Sequence, residues 1–127
     1  MLRILVVDDL PDSTMSLQWL LQGWGHDARA AFDGDTALKM VESFLPDVVF
    51  LDLGMPKPNG YEVAKHLRQI DPLKPLIVAH SGYCMEADVR RAMEAGCNHH
   101  FAKPADLDQV KQLLEAYEQL LRRQSMN

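Results

Sequence analysis

Five positions carry side chains whose types and placement could do chemistry. They are the adjacent carboxylates Asp8 and Asp9, a third carboxylate at Asp52, the hydroxyl of Ser81 and the ammonium of Lys103. Each stands at the end of a short, mainly apolar run: Ile4-Leu5-Val6-Val7 before the acidic pair, Val48-Val49-Phe50-Leu51 before Asp52. Carboxylates gathered in one cleft repel strongly unless a cation sits among them. Oxygen donors with no cysteine or histidine in the set suit a hard ion, so Mg²⁺ is the expected guest. A carboxylate can also act as a nucleophile and form an aspartyl phosphate. Lys103 would then neutralise phosphoryl charge, and the Ser81 hydroxyl would hydrogen-bond one phosphate oxygen.

For these groups to meet, the apolar runs must be neighbouring strands, and the stretches between them have helical period. Asp12 or Ser13 is expected to cap a first helix that carries Met15, Trp19 and Leu20 inward, with Gly23 and Gly25 at its end. Ala28 to Phe32 reads as a second strand. Asp33-Gly34-Asp35 opens a helix with Ala37, Leu38, Val41, Phe44 and Leu45 on the 3.6-residue period. The continuously apolar Val48 to Leu51 reads as a central parallel strand covered on both faces. Residues 54–60, rich in proline and glycine, must be a loop, and the helix after it sets Val63, Ala64, Leu67 and Ile70 on one face. Leu76 to Ala79 predicts a fourth strand, Glu86 to Ala95 a helix stopped by Gly96, and Asn98 to Ala102 a short fifth strand. A last helix aligns Leu107, Val110, Leu113, Leu114, Tyr117, Leu120 and Leu121 to about Arg123. The expected fold is α/β: a doubly wound, five-stranded parallel sheet, flavodoxin-like, in strand order 2-1-3-4-5. Ligands of such sheets bind beyond the carboxyl ends of the strands. One domain is expected over residues 1–123, with 124–127 a short polar tail.

With 127 residues, 47% hydrophobic and 24% charged, the chain suits one globular domain. Thirteen basic against 18 acidic side chains give a net charge of −5, which argues against direct nucleic-acid binding. The apolar runs are strand-sized, so no membrane span is expected. Met1-Leu2-Arg3 leads into no cleavable signal, so a cytoplasmic location follows, with Cys84 and Cys97 as free thiols.

Asp8-Asp9, the segment Leu51-Asp52-Leu53-Gly54-Met55-Pro56 with Gly60 after it, Ser81-Gly82 and Lys103-Pro104 resemble the receiver domain of two-component response regulators. The resemblance runs from Ile4 to about Leu121. It implies Asp52 as phosphoacceptor, with Mg²⁺ bound by Asp9, Asp52 and the main-chain carbonyl of Gly54, and Asp8 helping through water. It also implies a cis peptide at Lys103–Pro104, which aims the lysine. The implied phosphodonor is a histidine kinase or a histidine phosphotransfer protein. A downstream protein target would read the face made by the fourth helix, fifth strand and fifth helix. Such a protein phosphorylates and dephosphorylates itself and is not a turnover enzyme on a separate substrate. Two departures stand out. His100 occupies the place, three residues before the lysine, where the family usually has an aromatic switch residue. Gly54 and Tyr83 hold the positions two after Asp52 and Ser81, which tune hydrolysis in the family. The Gly96 to Pro104 stretch, with its paired histidines, is similar to receivers of hybrid histidine kinases and to some stand-alone relay receivers.

Other functions fit less well. A phosphatase of the haloacid-dehalogenase type needs a second acid two residues beyond its nucleophile, and Gly54 stands there. A pseudo-receiver would have lost part of the polar set, which is complete here. A nucleotide-binding fold would show a glycine-rich fingerprint after the first strand, and none is present. His99 and His100, adjacent on a strand, point to opposite faces and cannot easily grip one ion. His80 is expected to be a satisfied, partly buried core histidine, and Arg90-Arg91 and Arg122-Arg123 to be solvated helix faces.

Overall fold

The computed structural model describes residues 1–82 and 85–126. Strands and helices alternate: β1 (Arg3–Val7), α1 (Pro11–Gly23), β2 (Asp27–Ala31), α2 (Gly34–Phe44), β3 (Val48–Asp52), α3 (Gly60–Ile70), β4 (Leu76–Ser81), α4 (Glu86–Ala95), β5 (His99–Ala102) and α5 (Leu107–Met126). The sheet order is β2-β1-β3-β4-β5 with every pairing parallel, as the apolar runs predict. Val7 lies opposite Leu51 in the register. The next residues, Asp8 and Asp52, therefore leave adjacent strands side by side.

Side chains alternate across a strand, so each strand feeds two cores. Leu5, Val7, Val49, Leu51, Ile77 and Ala79 pack with Phe44, Val63, Ala64, Leu67 and Ala92 of α2, α3 and α4. Ile4, Val6, Val48, Phe50 and Val78 pack on the other face with Leu21 of α1 and Val110 and Leu114 of α5. All five residues of β3 are buried, which explains why its sequence shows no polar alternation. Each buried aliphatic side chain contributes about 1.5–3 kcal/mol relative to exposure.

Several local expectations are corrected. Pro11 is the first residue of α1 and Leu10 its N-cap, with no side-chain cap; Asp12 and Ser13 lie inside the helix. Proline suits that position, because its fixed φ is helical and its missing N–H would find no partner there. The inward face of α1 is Thr14, Leu17 and Leu21, while Met15 and Trp19 face solvent and Leu20 is half-buried. Thr14 sets that phase: its hydroxyl donates to the carbonyls of Asp8 and Leu10. Leu45, Ile70, Leu107 and Leu120 are exposed although they follow the helical period; Leu45 is the left-handed cap of α2 (φ 53°). Helix α5 continues to Met126, so residues 124–126 are helical. Gly96 closes α4 at φ 110°, as expected. The Arg68 guanidinium and Nε bind the carbonyls of Pro75 and Gly96 and the side chain of Asn98, tying α3 to the turn before β5.

Candidate functional site

At the carboxyl end of the sheet the loops bring together all five side chains singled out by the sequence. Asp8 is fully buried; its Oδ1 accepts from the Leu10 N–H at 3.0 Å and its Oδ2 from Lys103 Nζ at 2.8 Å. Lys103 Nζ also lies 3.5 Å from Asp52 Oδ2. The Asp52 Oδ1 accepts from the Gly54 N–H at 3.1 Å, and the residue is 6% exposed. Carboxylate oxygens of Asp8, Asp9 and Asp52 all lie within 4.8 Å of one another, with Asp9 half-buried at the mouth.

Backbone features hold these groups in place. The Lys103 N–H donates to the Ser81 carbonyl at 2.8 Å, and Lys103–Pro104 is cis, as the resemblance implies. Asn59 and Glu62 form a reciprocal capping box at the start of α3, which closes the 54–59 loop. Gly60 is required there: a Cβ would stand 2.7 Å from Leu53 Cα and collide with the Asp52 carbonyl. Ser81 ends β4 buried, with its Oγ 3.1 Å from His100 Nε2.

Electrostatics split the two buried acids. For Asp52, burial pushes the carboxyl above its usual value; the Gly54 N–H opposes, and the Asp8 charge reinforces the rise. For Asp8, burial pushes the same way but is outweighed by the Lys103 hydrogen bond and the Leu10 N–H, so its carboxyl stays low. One ammonium therefore faces three carboxylates. An all-oxygen donor set with surplus negative charge, two of its three carboxylates buried, fits a hard divalent cation such as Mg²⁺.

A cleft of about 250 Å³ opens over Asp52, Gly54, Ser81 and Gly82, and its outer wall adds Tyr61, Asp88 and Arg91. The Arg91 guanidinium stacks 3.9 Å from the Tyr61 ring centroid. Sequence reasoning placed Arg91 on a solvated helix face and gave Tyr61 no role, because no local pattern marks two residues 30 positions apart as partners. His99 is exposed and lies apart from the cleft. His80 departs from expectation: it is buried at 8% exposure on the other face, and its Nε2 has no hydrogen-bond partner among the described residues. Burial, then the nearby Lys103 ammonium, lowers its pKa to about 4. Cys97 is a free buried thiol pushed up to about 11 by burial. The expectations for Tyr83 and Cys84 lie outside the described residues.

Residues 4–115 match the family described as the response regulator receiver domain. The chain belongs to that family. The receiver is 35% identical over 114 residues to the alkaline phosphatase synthesis transcriptional regulatory protein PhoP of Bacillus subtilis, covering 90% of this chain and 47% of that protein. It is 32% identical over 122 residues to the sensor histidine kinase RcsC of Escherichia coli K12, covering 96% of this chain and 13% of that protein. The chain thus spans less than half the length of either relative. A solved two-component response regulator of the LuxR family from Aurantimonas sp. SI85-9A1 superposes at a TM-score of 0.82 with 30% identity, covering 91% of this chain and 84% of the other. Among the described residues, no helix of the receiver is long and apolar enough to cross a membrane.

Proposed function

We propose that this receiver accepts a phosphoryl group on Asp52 from the phosphohistidine of a histidine kinase or a histidine phosphotransfer protein. An Asp52 carboxylate oxygen attacks phosphorus, the N–P bond of the donor breaks, and the released imidazole nitrogen takes up a proton. The observation that carries this reading is the Lys103 ammonium set between Asp8 Oδ2 and Asp52 Oδ2, at 2.8 Å and 3.5 Å, beside the cleft that Asp52 shares with Ser81. Asp8 holds Lys103 in position to meet the phosphoryl charge that arrives on Asp52. The Gly54 N–H steadies the nucleophile. Mg²⁺, held by Asp9, Asp52 and the Gly54 carbonyl with Asp8 through water, would supply further positive charge to the phosphoryl oxygens.

Signal output follows from the Ser81–His100 contact of 3.1 Å. A phosphoryl group on Asp52 offers the Ser81 hydroxyl a charged acceptor, which draws it away from His100. The imidazole then repositions between β4 and β5, and the face of α4, β5 and α5 shifts its population toward the form that binds a downstream protein. On this reading the receiver is a cytoplasmic switch acting by protein contact. It has no separate turnover substrate, and at net charge −5 makes no direct nucleic-acid contact. Beryllofluoride or acetyl phosphate with Mg²⁺ should modify the wild type and spare Asp52→Asn. Equal modification of the variant would remove Asp52 as acceptor.

A further inference from the structure

Lys103 is held beside the phosphoacceptor cleft by Asp8 and Asp52. Of the described side chains that line the cleft itself, Arg91 alone carries positive charge. Its neighbour Arg90 pairs with Glu86 at 3.7 Å, whereas no hydrogen bond or ion pair joins Arg91 to another described residue. The Arg91 guanidinium lies instead 3.9 Å from the ring centroid of Tyr61, which is 7% exposed and packed into the core beneath α3 and α4. Stacking uses the flat face of a guanidinium and leaves its N–H edge free. A steadied fork of unpaired donors, in one cleft with Asp52, points to an anion.

We infer that Arg91 receives the carboxylate that departs when a small acyl phosphate serves as phosphodonor. The inference rests on Asp52 as the phosphoacceptor. Attacking and leaving atoms lie roughly in line in phosphoryl transfer, so the leaving group points away from Asp52, toward the outer wall where Arg91 stands. The cleft of about 250 Å³ far exceeds the share of one water, about 30 Å³, and leaves room beyond the phosphoryl group. An Asp52 carboxylate oxygen attacks phosphorus, the P–O bond to the acyl group breaks, and its electron pair leaves with the acyl oxygen. Negative charge therefore grows on a carboxylate in the transition state, and the guanidinium fork matches it with two parallel hydrogen bonds. A donor whose leaving atom is nitrogen takes up a proton there and departs uncharged, so Arg91 gives it no such help. Asp88 on the same wall repels a further anion, which favours a short acyl group with no second charge.

Acetyl phosphate and phosphoramidate, each with Mg²⁺, are the two donors, and phosphorylation of the full chain is timed by intact mass. Arg91→Gln, at an exposed position, should lower the acetyl phosphate rate constant at least about tenfold, the scale of one charge-assisted pair. The phosphoramidate rate constant should stay within about twofold of wild type. Arg91→Lys keeps the charge without the fork and should recover only part of the loss. Beryllofluoride carries no acyl group, so its binding, read by amide NMR, should match wild type in both variants. Equal slowing with both donors would overturn the inference, because Arg91 would then act on phosphoryl charge alone. An unchanged acetyl phosphate rate, full recovery by lysine, or lost beryllofluoride binding in Arg91→Gln would overturn it as well. Wild type left unmodified at Asp52 by either donor would instead remove the acceptor reading, and this inference with it.

Discussion

Replacing Asp52 by asparagine should make the metal-free protein more stable. The carboxylate oxygens of Asp8, Asp9 and Asp52 lie within 4.8 Å of one another. At an effective dielectric of about 20, each such pair repels by roughly 3 kcal/mol, less for the half-exposed Asp9. Lys103, 3.5 Å from Asp52 and a quarter exposed, returns a comparable attraction, but it keeps its shorter bond to Asp8 in the variant. Removing the Asp52 charge therefore relieves two repulsions and a buried charge while losing one screened attraction, a net gain of about 1–2 kcal/mol. The pH dependence has a fixed sign. Because the folded carboxyl of Asp52 is raised above 3.8, mainly by burial, its penalty is absent below 3.8 and builds as pH rises through the folded value. Urea unfolding in EDTA at pH 7.5, read by far-UV circular dichroism, should place the Asp52→Asn midpoint above wild type, with the gap closing toward pH 4. A variant equally or less stable at pH 7.5 would refute the account of the site as a cluster of uncompensated charge.

Asp8→Asn should have the opposite sign, losing about 1–3 kcal/mol at pH 7.5: a broken buried pair costs more, but Lys103 is partly exposed and retains Asp52. Its carboxyl is held below 3.8, so the lost contribution is one present above that value and removed as pH falls through the lowered one. Millimolar Mg²⁺ should stabilise wild type by about 1–3 kcal/mol, and Asp9→Ala should abolish both that gain and phosphorylation; an unmoved melting temperature with Mg²⁺ or EDTA would refute the metal site. Gly60→Ala should cost about 2–3 kcal/mol in chemical denaturation, whereas Gly54→Ala, whose Cβ meets only Asp52 Oδ1 at 3.7 Å among the described residues, should cost less than about 1 kcal/mol. On adding beryllofluoride, amide shifts should extend from Ser81 through 85–95 to His100 and 107–114, and His100→Ala should shorten that path. Shifts confined to the Asp52 cleft would exclude the α4–β5–α5 face as output.

The site was legible because each of its groups terminates an apolar run, and a parallel sheet makes strand ends meet. Val7 opposite Leu51 turns a sequence distance of 44 residues into neighbouring carboxylates. What escaped the sequence depended on partners distant in the chain or on competition between local signals. Thr14 took the inward place on α1 because its hydroxyl could satisfy two carbonyls, and the apolar count then put Trp19 on the wrong side. Tyr61 and Arg91 meet only because α3 and α4 pack on the same face of the sheet. His80 was read as a satisfied core residue, since nothing in Leu76 to Ser81 shows that its Nε2 would be enclosed without a donor or acceptor among the described residues.

These features share a cause. The continuously buried β3 gives the sheet enough apolar burial to hold two carboxylates out of water beside a third, a placement that opposes folding on its own. Local rules of sequence are broken most visibly where a protein acts. Here the break is electrostatic: the charge surplus that destabilises the metal-free fold is the same surplus that would attract a divalent cation and keep Lys103 poised over Asp52. A substitution that raises stability at Asp52 should therefore remove phosphorylation, whereas one that lowers stability at Gly60 need only displace the loop. If Asp52→Asn and Gly60→Ala moved stability in the same direction, burial alone, rather than charge, would govern the site.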